Sequence, residues 1–301
     1  FPAGVVPTAG GLTFSQDDLA HALFTTGRAP GDEYAFGNLS VHEWRHRTAL
    51  VPAYVRRTYG AGLVRSDLAL TLDRSEVVAL SYALGQAMTA IFCRTQLGVT
   101  HLLHMDRYAG HYGVAFGATR RRADLFGTAS KRWVVAEAKG RTGSVSKELR
   151  RKLVSQKRSV ATIEGVAPWI TLGCVALFPR RDGPMRLEAF DPEEDAEDAI
   201  ALNVTRDRFM LAYYAPFLRV LDVAGQGRDD FFYTAELDES GVRVRLAVSI
   251  VDRVRRALDQ PQGLYGDVLV MLEELQALQL GALPDGSVIE ANWQDMSHVE
   301  G

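Results

Sequence analysis

Two cysteines in 301 residues, Cys93 and Cys174, are too few for a disulfide framework. Each sits in an apolar stretch and reads as a reduced core residue, which favours a cytoplasmic setting. No uninterrupted apolar run approaches the ~20 residues that a membrane-spanning helix needs, so no membrane is expected as a partner. The stretch from Phe1 onward lacks the basic region and long apolar segment of a signal peptide. No GxGxxG and no GK[ST] occurs. Gly110, Gly113 and Gly117 therefore form neither a dinucleotide fingerprint nor a phosphate loop, which argues against nucleotide hydrolysis. Internal repeats and low-complexity tracts are also missing.

What is present is ordinary in amount and unusual in placement. An apolar content of 47% and a charged content of 24% suit a globular chain of one large or two small domains. The net charge of −3 hides an asymmetry. Residues 120–158 hold 13 Lys/Arg against 3 Asp/Glu, while the rest of the chain holds 21 against 34. Positive charge gathered in one stretch suits an anionic partner; the plainer alternative is a solvated basic helix.

Along the chain, Ser15 caps a short helix to Phe24, and Ser40–Tyr59 reads as a helix with basic outer positions. Gly60–Arg65 reads as a loop. Asp73 or Ser75 caps a long helix to about Thr95, apolar at Val77, Val78, Leu80, Leu84, Met88 and Ile91. His101–Tyr108 reads as a strand and Gly113–Thr119 as a second extended piece. A helix follows over Ser146–Ile163, with Leu149, Leu153, Val160 and Ile163 inward. Gln156 stands on that inward stripe where an apolar residue belongs; a satisfied buried amide is the plainer account of it. Trp169–Pro179 has the continuous apolar character of a strand buried on both faces, and Arg186–Phe190 adds another. Asp191–Asp198 reads as an acidic loop. Helices over Thr205–Leu221, Val248–Leu258 and Gly266–Leu280 surround a hairpin-like pair, Phe231–Leu237 and Val242–Val248. The expected organisation is a mainly helical region over 1–98, a mixed α/β core over 99–190, and a mainly helical region over 191–301 on or beside the core.

The stretch Arg120–Gly140, RRRADLFGTASKRWVVAEAKG, reads as a β-hairpin. Its first arm, Ala123–Gly127, carries Asp124. Its second, Trp133–Lys139, is rich in strand formers and ends in Glu137-Ala138-Lys139. Side chains alternate along a strand, so Glu137 and Lys139 share a face. Two carboxylates across a hairpin can converge on Mg²⁺, which takes few protein ligands. A lysine beside them can orient or deprotonate a water, and burial next to a metal would lower its pKa toward that role. The alternative is a cross-strand ion pair, which contributes about 0.2–1 kcal/mol.

An acid, a turn, a strand ending Glu-x-Lys, a basic helix and a buried strand together resemble the PD-(D/E)XK nuclease superfamily, with Ala123 in place of the family's proline. The likeness covers about residues 100–190. It implies a restriction-endonuclease-like α/β fold, with a central mixed sheet flanked by helices and added helical N- and C-terminal regions. It implies Mg²⁺ (or Mn²⁺)-dependent cleavage of DNA, in phage defence, restriction or repair. Asp124 and Glu137 would hold the metal, with the Ala138 carbonyl as a third ligand, and Lys139 and Gln156 would join the catalytic group. Glu76, near the start of the long helix, could add a carboxylate; an acid favoured in a first helical turn is its plainer reading. Arg120, Arg121, Arg122, Arg141, Lys147 and Arg151 would contact phosphates. The family often cuts as dimers, so a homodimer or a place in a larger assembly is implied. A non-catalytic nucleic-acid-binding or scaffold module is the competing reading. His101, His104 and His111 with Asp106 suggest zinc, but a spacing of three on a strand puts His101 and His104 on opposite faces.

Overall fold

A long helix crossing a mixed sheet organises the chain. In the computed structural model the described residues are 1, 4–7, 9–27, 39–58, 62–108, 123–149, 151, 159–191, 199–224, 227–237 and 241–293. The elements run α1 (Gln16–Thr26), α2 (Leu39–Tyr54), β1 (Val55–Thr58), β2 (Gly62–Arg65), α3 (Asp67–Thr71), α4 (Arg74–Leu97), β3 (His101–His104) and α5 (Met105–Tyr108). Then come β4 (Leu125–Ala129), β5 (Arg132–Thr142), β6 (Val160–Ile163), β7 (Ile170–Phe178), β8 (Arg186–Phe190) and β9 (Ile200–Leu202). The C-terminal part holds α6 (Arg206–Val223), β10 (Gly227–Arg228), β11 (Phe232–Leu237), β12 (Val242–Ala247), α7 (Val248–Ala257), α8 (Leu264–Ala277) and β13 (Ser287–Ala291).

The central sheet has the order β3-β4-β5-β7-β8. β3, β4 and β5 form an antiparallel meander, and β7 joins β5 in parallel. A parallel pair needs a crossover, and the chain between 143 and 169 supplies it. Within that crossover Lys147–Leu149 and Arg151 are helical. The fold is thus mixed α/β, with a mixed sheet flanked by helices.

α4 covers one face of the sheet. Asp73 caps it: its carboxylate accepts from the amides of Ser75 and Glu76, and the Glu76 carboxylate in return accepts from the Asp73 amide. Gly98 ends it in the left-handed conformation. The helix has 24 residues, and its most apolar stretch has a mean hydropathy of 1.4. That is long and apolar enough to span a membrane by composition, contrary to the reading of apolar runs alone. Packing explains the character, since 72% of the stretch is buried. Phe92 and Cys93 lie against Ala136, Ala138, Leu172 and Cys174. Both cysteines are free, and burial pushes the Cys174 thiol up to about 12.

The opposite face is divided. Near the hairpin turn, α6 covers it, with Phe209 packed edge-on to Phe126 and Trp133. Near the other end, Leu149, Val175 and Leu177 form a separate small apolar cluster.

Several expectations are corrected. The helix expected to reach Tyr59 stops at Tyr54, and β1 and β2 form a hairpin where a loop was read. The expected strand 101–108 stops at His104 and turns into helix, with the Met105 amide donating to the Asp124 carbonyl. The expected basic helix does not reach Ile163, because Val160–Ile163 pairs in parallel with Ile200–Leu202. The C-terminal region contains, besides three helices, a sheet of order β10-β11-β12-β13. Gly113–Thr119 and most of 191–198 lie outside the described residues.

Candidate functional site

The site begins where β4 ends. The last ladder pair is Leu125 with Ala136, so Asp124 stands opposite Glu137 just beyond the pairing. β5 runs on to Thr142 beside β7. Residues on one strand keep their faces across the ladder, so Asp124, Glu137 and Lys139 lie on the face opposite α4. Glu137 interrupts an apolar row there: Trp133 and Val135 precede it, and Val175 lies alongside Lys139.

Glu137 is fully buried. Its carboxylate forms an ion pair with the Lys139 ammonium. Neither of its oxygens has a hydrogen bond of standard geometry, although the Lys139 ammonium and the Asp124 amide lie close enough to favour its charged form. Burial pushes its pKa up to about 8, and the nearby Asp124 carboxylate adds to the rise; Lys139 opposes both. Asp124 is better served. Its Oδ2 accepts from the Ala138 amide at 3.0 Å and from Lys139 Nζ at 3.3 Å.

Lys139 touches both carboxylates. Its side chain is 30% exposed against 18% for Asp124, so the ammonium marks the solvent side of the trio. The lowering of its pKa is expected beside a bound metal; within the trio by itself the pKa is raised. Burial acts to lower it, but the charges of Glu137 and Asp124 outweigh burial and raise it. In this form the lysine carries its proton.

A fully buried carboxylate next to a second carboxylate costs free energy unless cations offset them; the Lys139 ammonium is one, and two carboxylates leave one negative charge over for another. The donors are all oxygens: two from Glu137, those of Asp124, and the Ala138 carbonyl. In a strand a residue's N–H and C=O point to the same edge, so the Ala138 carbonyl faces the side where β4 has ended. Such a set suits Mg²⁺ or Mn²⁺ rather than zinc. Among the described residues no group of three His, Cys, Asp or Glu gathers as a metal cage.

The ends of the hairpin are held from opposite sides. At the turn, Arg206 donates to the Lys131 carbonyl at 3.0 Å and Tyr265 to the Ser130 carbonyl at 2.5 Å. At the site end, Gly140 meets α4. A Cβ on Gly140 would stand 1.6 Å from the Ser81 carbonyl oxygen, and one on Gly85 would stand 2.6 Å from the Lys139 carbonyl carbon. These two glycines let the helix lie this close to the strand carrying Lys139.

The other candidates divide. Glu76 is exposed and engaged in the helix cap, as the first-turn reading has it, with no described contact to Asp124 or Glu137. Arg141, Lys147 and Arg151 are exposed, on β5 and at the start of the basic crossover. Gln156, Arg120, Arg121, Arg122 and His111 lie outside the described residues. His101 bonds Tyr214 at 2.8 Å while His104 bonds Tyr82 at 3.1 Å, so the two histidines turn to different helices.

No protein-family model, curated protein or solved structure matches the chain. The geometry therefore stands by itself. Sequence reasoning passed over Tyr82 and Gln86, which bond each other at 2.8 Å beside His104; two polar-tipped residues four apart on the long apolar helix were their signal. It also passed over how the lysines are confined. The chain has five, at 131, 139, 147, 152 and 157, all inside the basic stretch. A cleft of about 720 Å³ lies on the α4 side, lined by Met88, Phe92, Leu187 and Ala189 among others, and contains none of the site residues.

Proposed function

We propose that the chain is a Mg²⁺-dependent nuclease that hydrolyses phosphodiester bonds in DNA. The observation that carries the reading is the fully buried Glu137 beside Asp124 at the end of β4, two carboxylates sharing the single Lys139 ammonium. The meander-plus-parallel-strand order, with α4 on one face and the crossover leaving β5, supports a restriction-endonuclease-like fold. Asp124, Glu137 and the Ala138 carbonyl would hold the cation. Bound there, Mg²⁺ supplies charge neutralisation at the phosphate and a more acidic water.

The remaining work falls to the chain. Lys139, protonated and on the solvent side, donates a hydrogen bond to the incoming water or to a phosphate oxygen. Arg141, Lys147 and Arg151 draw the phosphate backbone over the strand end. The apolar rows on either side of Glu137 keep bulk water from its carboxylate.

The test is cleavage of single- and double-stranded DNA by the purified chain with Mg²⁺ or Mn²⁺. Asp124→Ala, Glu137→Ala and Lys139→Ala should each lower the rate by about 100-fold or more while keeping the fold. Equal cutting by Glu137→Ala overturns the assignment. A scaffold reading has one observation in its favour: Lys139 already pairs with both acids. Calorimetric titration with Mn²⁺ separates the two, since a self-neutralised trio takes up no cation.

A further inference from the structure

The central sheet ends on β8, and the outer edge of that strand is open. Among the described residues β8 forms a ladder with β7 alone. Just before it, the Met185 amide donates outward to the Leu63 carbonyl at 2.7 Å. Successive residues of a strand turn their N–H and C=O groups to opposite edges. Those of Leu187 and Ala189 therefore face the same way as the Met185 amide, away from β7. Among the described residues nothing pairs with them. An unpaired row of this kind is a template for another extended backbone.

The edge opens on the cleft of about 720 Å³. Consecutive residues of β8, 186–189, line it. Side chains alternate between faces, so consecutive residues share one space only along the edge of their strand. Met88 and Phe92 of α4, with Leu12 and Phe14 before α1, supply apolar lining. From its rise, strand spacing and layer thickness, a strand residue in a packed sheet takes roughly 160 Å³, so the cleft has room for about four or five. Leu187 and Ala189 turn toward the apolar cluster under α4. Arg186 turns to the other face, exposed and without an ion pair among the described residues.

We propose that this edge takes an extended peptide segment of a partner protein, added antiparallel to β8 as a further strand of the central sheet. The backbone of the segment bonds the outward groups of Leu187 and Ala189. Its apolar side chains lie beside theirs, toward Met88 and Phe92. A carboxylate stands opposite Arg186, in a non-hydrogen-bonded pair, where side chains across a ladder come closest. Donors and acceptors alternating at the repeat of a strand match a polypeptide and not a small apolar molecule. The acidic trio lies on the opposite face of the sheet, so the docking needs neither metal nor DNA and stands apart from the nuclease reading.

Fluorescence anisotropy of the full chain tests it, in EDTA and without nucleic acid. The probe is a labelled peptide with the core Val-Lys-Val-Glu, which sets its Glu opposite Arg186 when it runs antiparallel. One control carries methyl groups on both Val amides, and a second has Lys in place of Glu. The wild type should bind the probe, and the methylated control about tenfold or more weakly. Ala189→Pro removes an outward amide and leaves the ladder to β7 intact, so it should also bind about tenfold more weakly. Arg186→Glu should prefer the Lys control, reversing the order shown by the wild type. Hydrogen exchange of the wild type needs no variant: the Leu187 and Ala189 amides should exchange freely in the free chain and slow with the probe. No binding at about 1 mM probe, or equal binding of the methylated control, overturns the proposal. Protection of the two amides in the free chain also overturns it, and a dimer mass by light scattering would then give the edge to a second copy.

Discussion

Glu137, the candidate at the centre of the proposed site, sets itself against stability. In the folded chain its pKa stands near 8, above the 4.5 of an unperturbed glutamate, because burial disfavours its charge. Below pH 4.5 both folded and unfolded forms hold the proton and the residue is neutral in the balance. Between 4.5 and 8 the unfolded chain ionises first, so this group's contribution to stability falls as pH rises. Glu137→Gln removes that loss. In metal-free buffer at pH 8.5 the variant should be more stable than the parent by a few kcal/mol, since each tenfold change in proton affinity is worth about 1.4 kcal/mol. At pH 4 the difference should vanish. Urea midpoints at the two pH values check it, and a Glu137→Gln chain weaker than its parent at pH 8.5 would mean that the Lys139 ion pair outweighs burial. The same variant should lose cation binding, the usual exchange between activity and stability.

At the scale of elements, the crossing of α4 over β5 decides whether the trio exists. The contact is backbone on backbone at Gly140 and Ser81, so no side chain can turn aside to admit a methyl. Gly140→Ala should cost at least the ~1–3 kcal/mol of ordinary overpacking. It should also displace the strand one residue beyond Lys139, so activity should fall further than stability accounts for. Denaturant midpoints and cleavage rates on the same samples check both effects. Much of this architecture was readable in advance. Ser15 and Asp73 announced their helices through local capping chemistry, and the hairpin arms through alternation and β-branched residues. What escaped depends on distant partners. Val160 and Ile163 sit three apart, which serves a helix stripe, and only their pairing with Ile200 and Leu202 makes them a strand. Likewise β3 ends at His104 because Asp124, twenty residues on, takes the next amide. The acid–lysine trio was legible because its residues are local; the bond from Tyr82 to His104 was not, because that partner lies on β3.

At the scale of the molecule, one buried polar network joins the terminal regions to the core. Asp285, in the turn before β13, accepts from His21 Nε2 at 2.8 Å and from Tyr213 Oη at 2.6 Å. Its backbone carbonyl accepts from Tyr214 Oη, which in turn bonds His101 on β3. Helix α1, strand β3, helix α6 and the last strand therefore share one cluster within a common core. Burial would raise the Asp285 pKa, but His21 and the hydrogen bonds it and Tyr213 donate hold it below the usual carboxylate range. Asp285→Asn leaves the donors of His21 and Tyr213 poorly matched and should cost about 3–5 kcal/mol.

His101 gives the network a pH signature of opposite sign to that of Glu137. Burial, with a smaller push from His21, lowers its pKa to about 4, although Asp285 opposes the shift. Its unfolded value is near 6.5, so between pH 6.5 and 4 the unfolded chain binds the extra proton and stability falls as pH falls. The full effect is about 3 kcal/mol, reached below pH 4. From 4.5 to 6.5 the two groups pull against each other, and the parent chain should show a shallow slope there. In the Glu137→Gln background the histidine slope dominates from pH 6.5 to about 5, the depressed Asp285 carboxylate adding a slope of the same sign near pH 4 and below, so stability should drop steeply on acidification. Adding His101→Gln should flatten it above about pH 5, since Gln can still reach Tyr214 but takes no proton. Urea unfolding at half-unit steps from pH 4 to 7 reads the two slopes directly. A slope above about pH 5 that survives His101→Gln would place the titration elsewhere and break the link drawn between β3 and the C-terminal region.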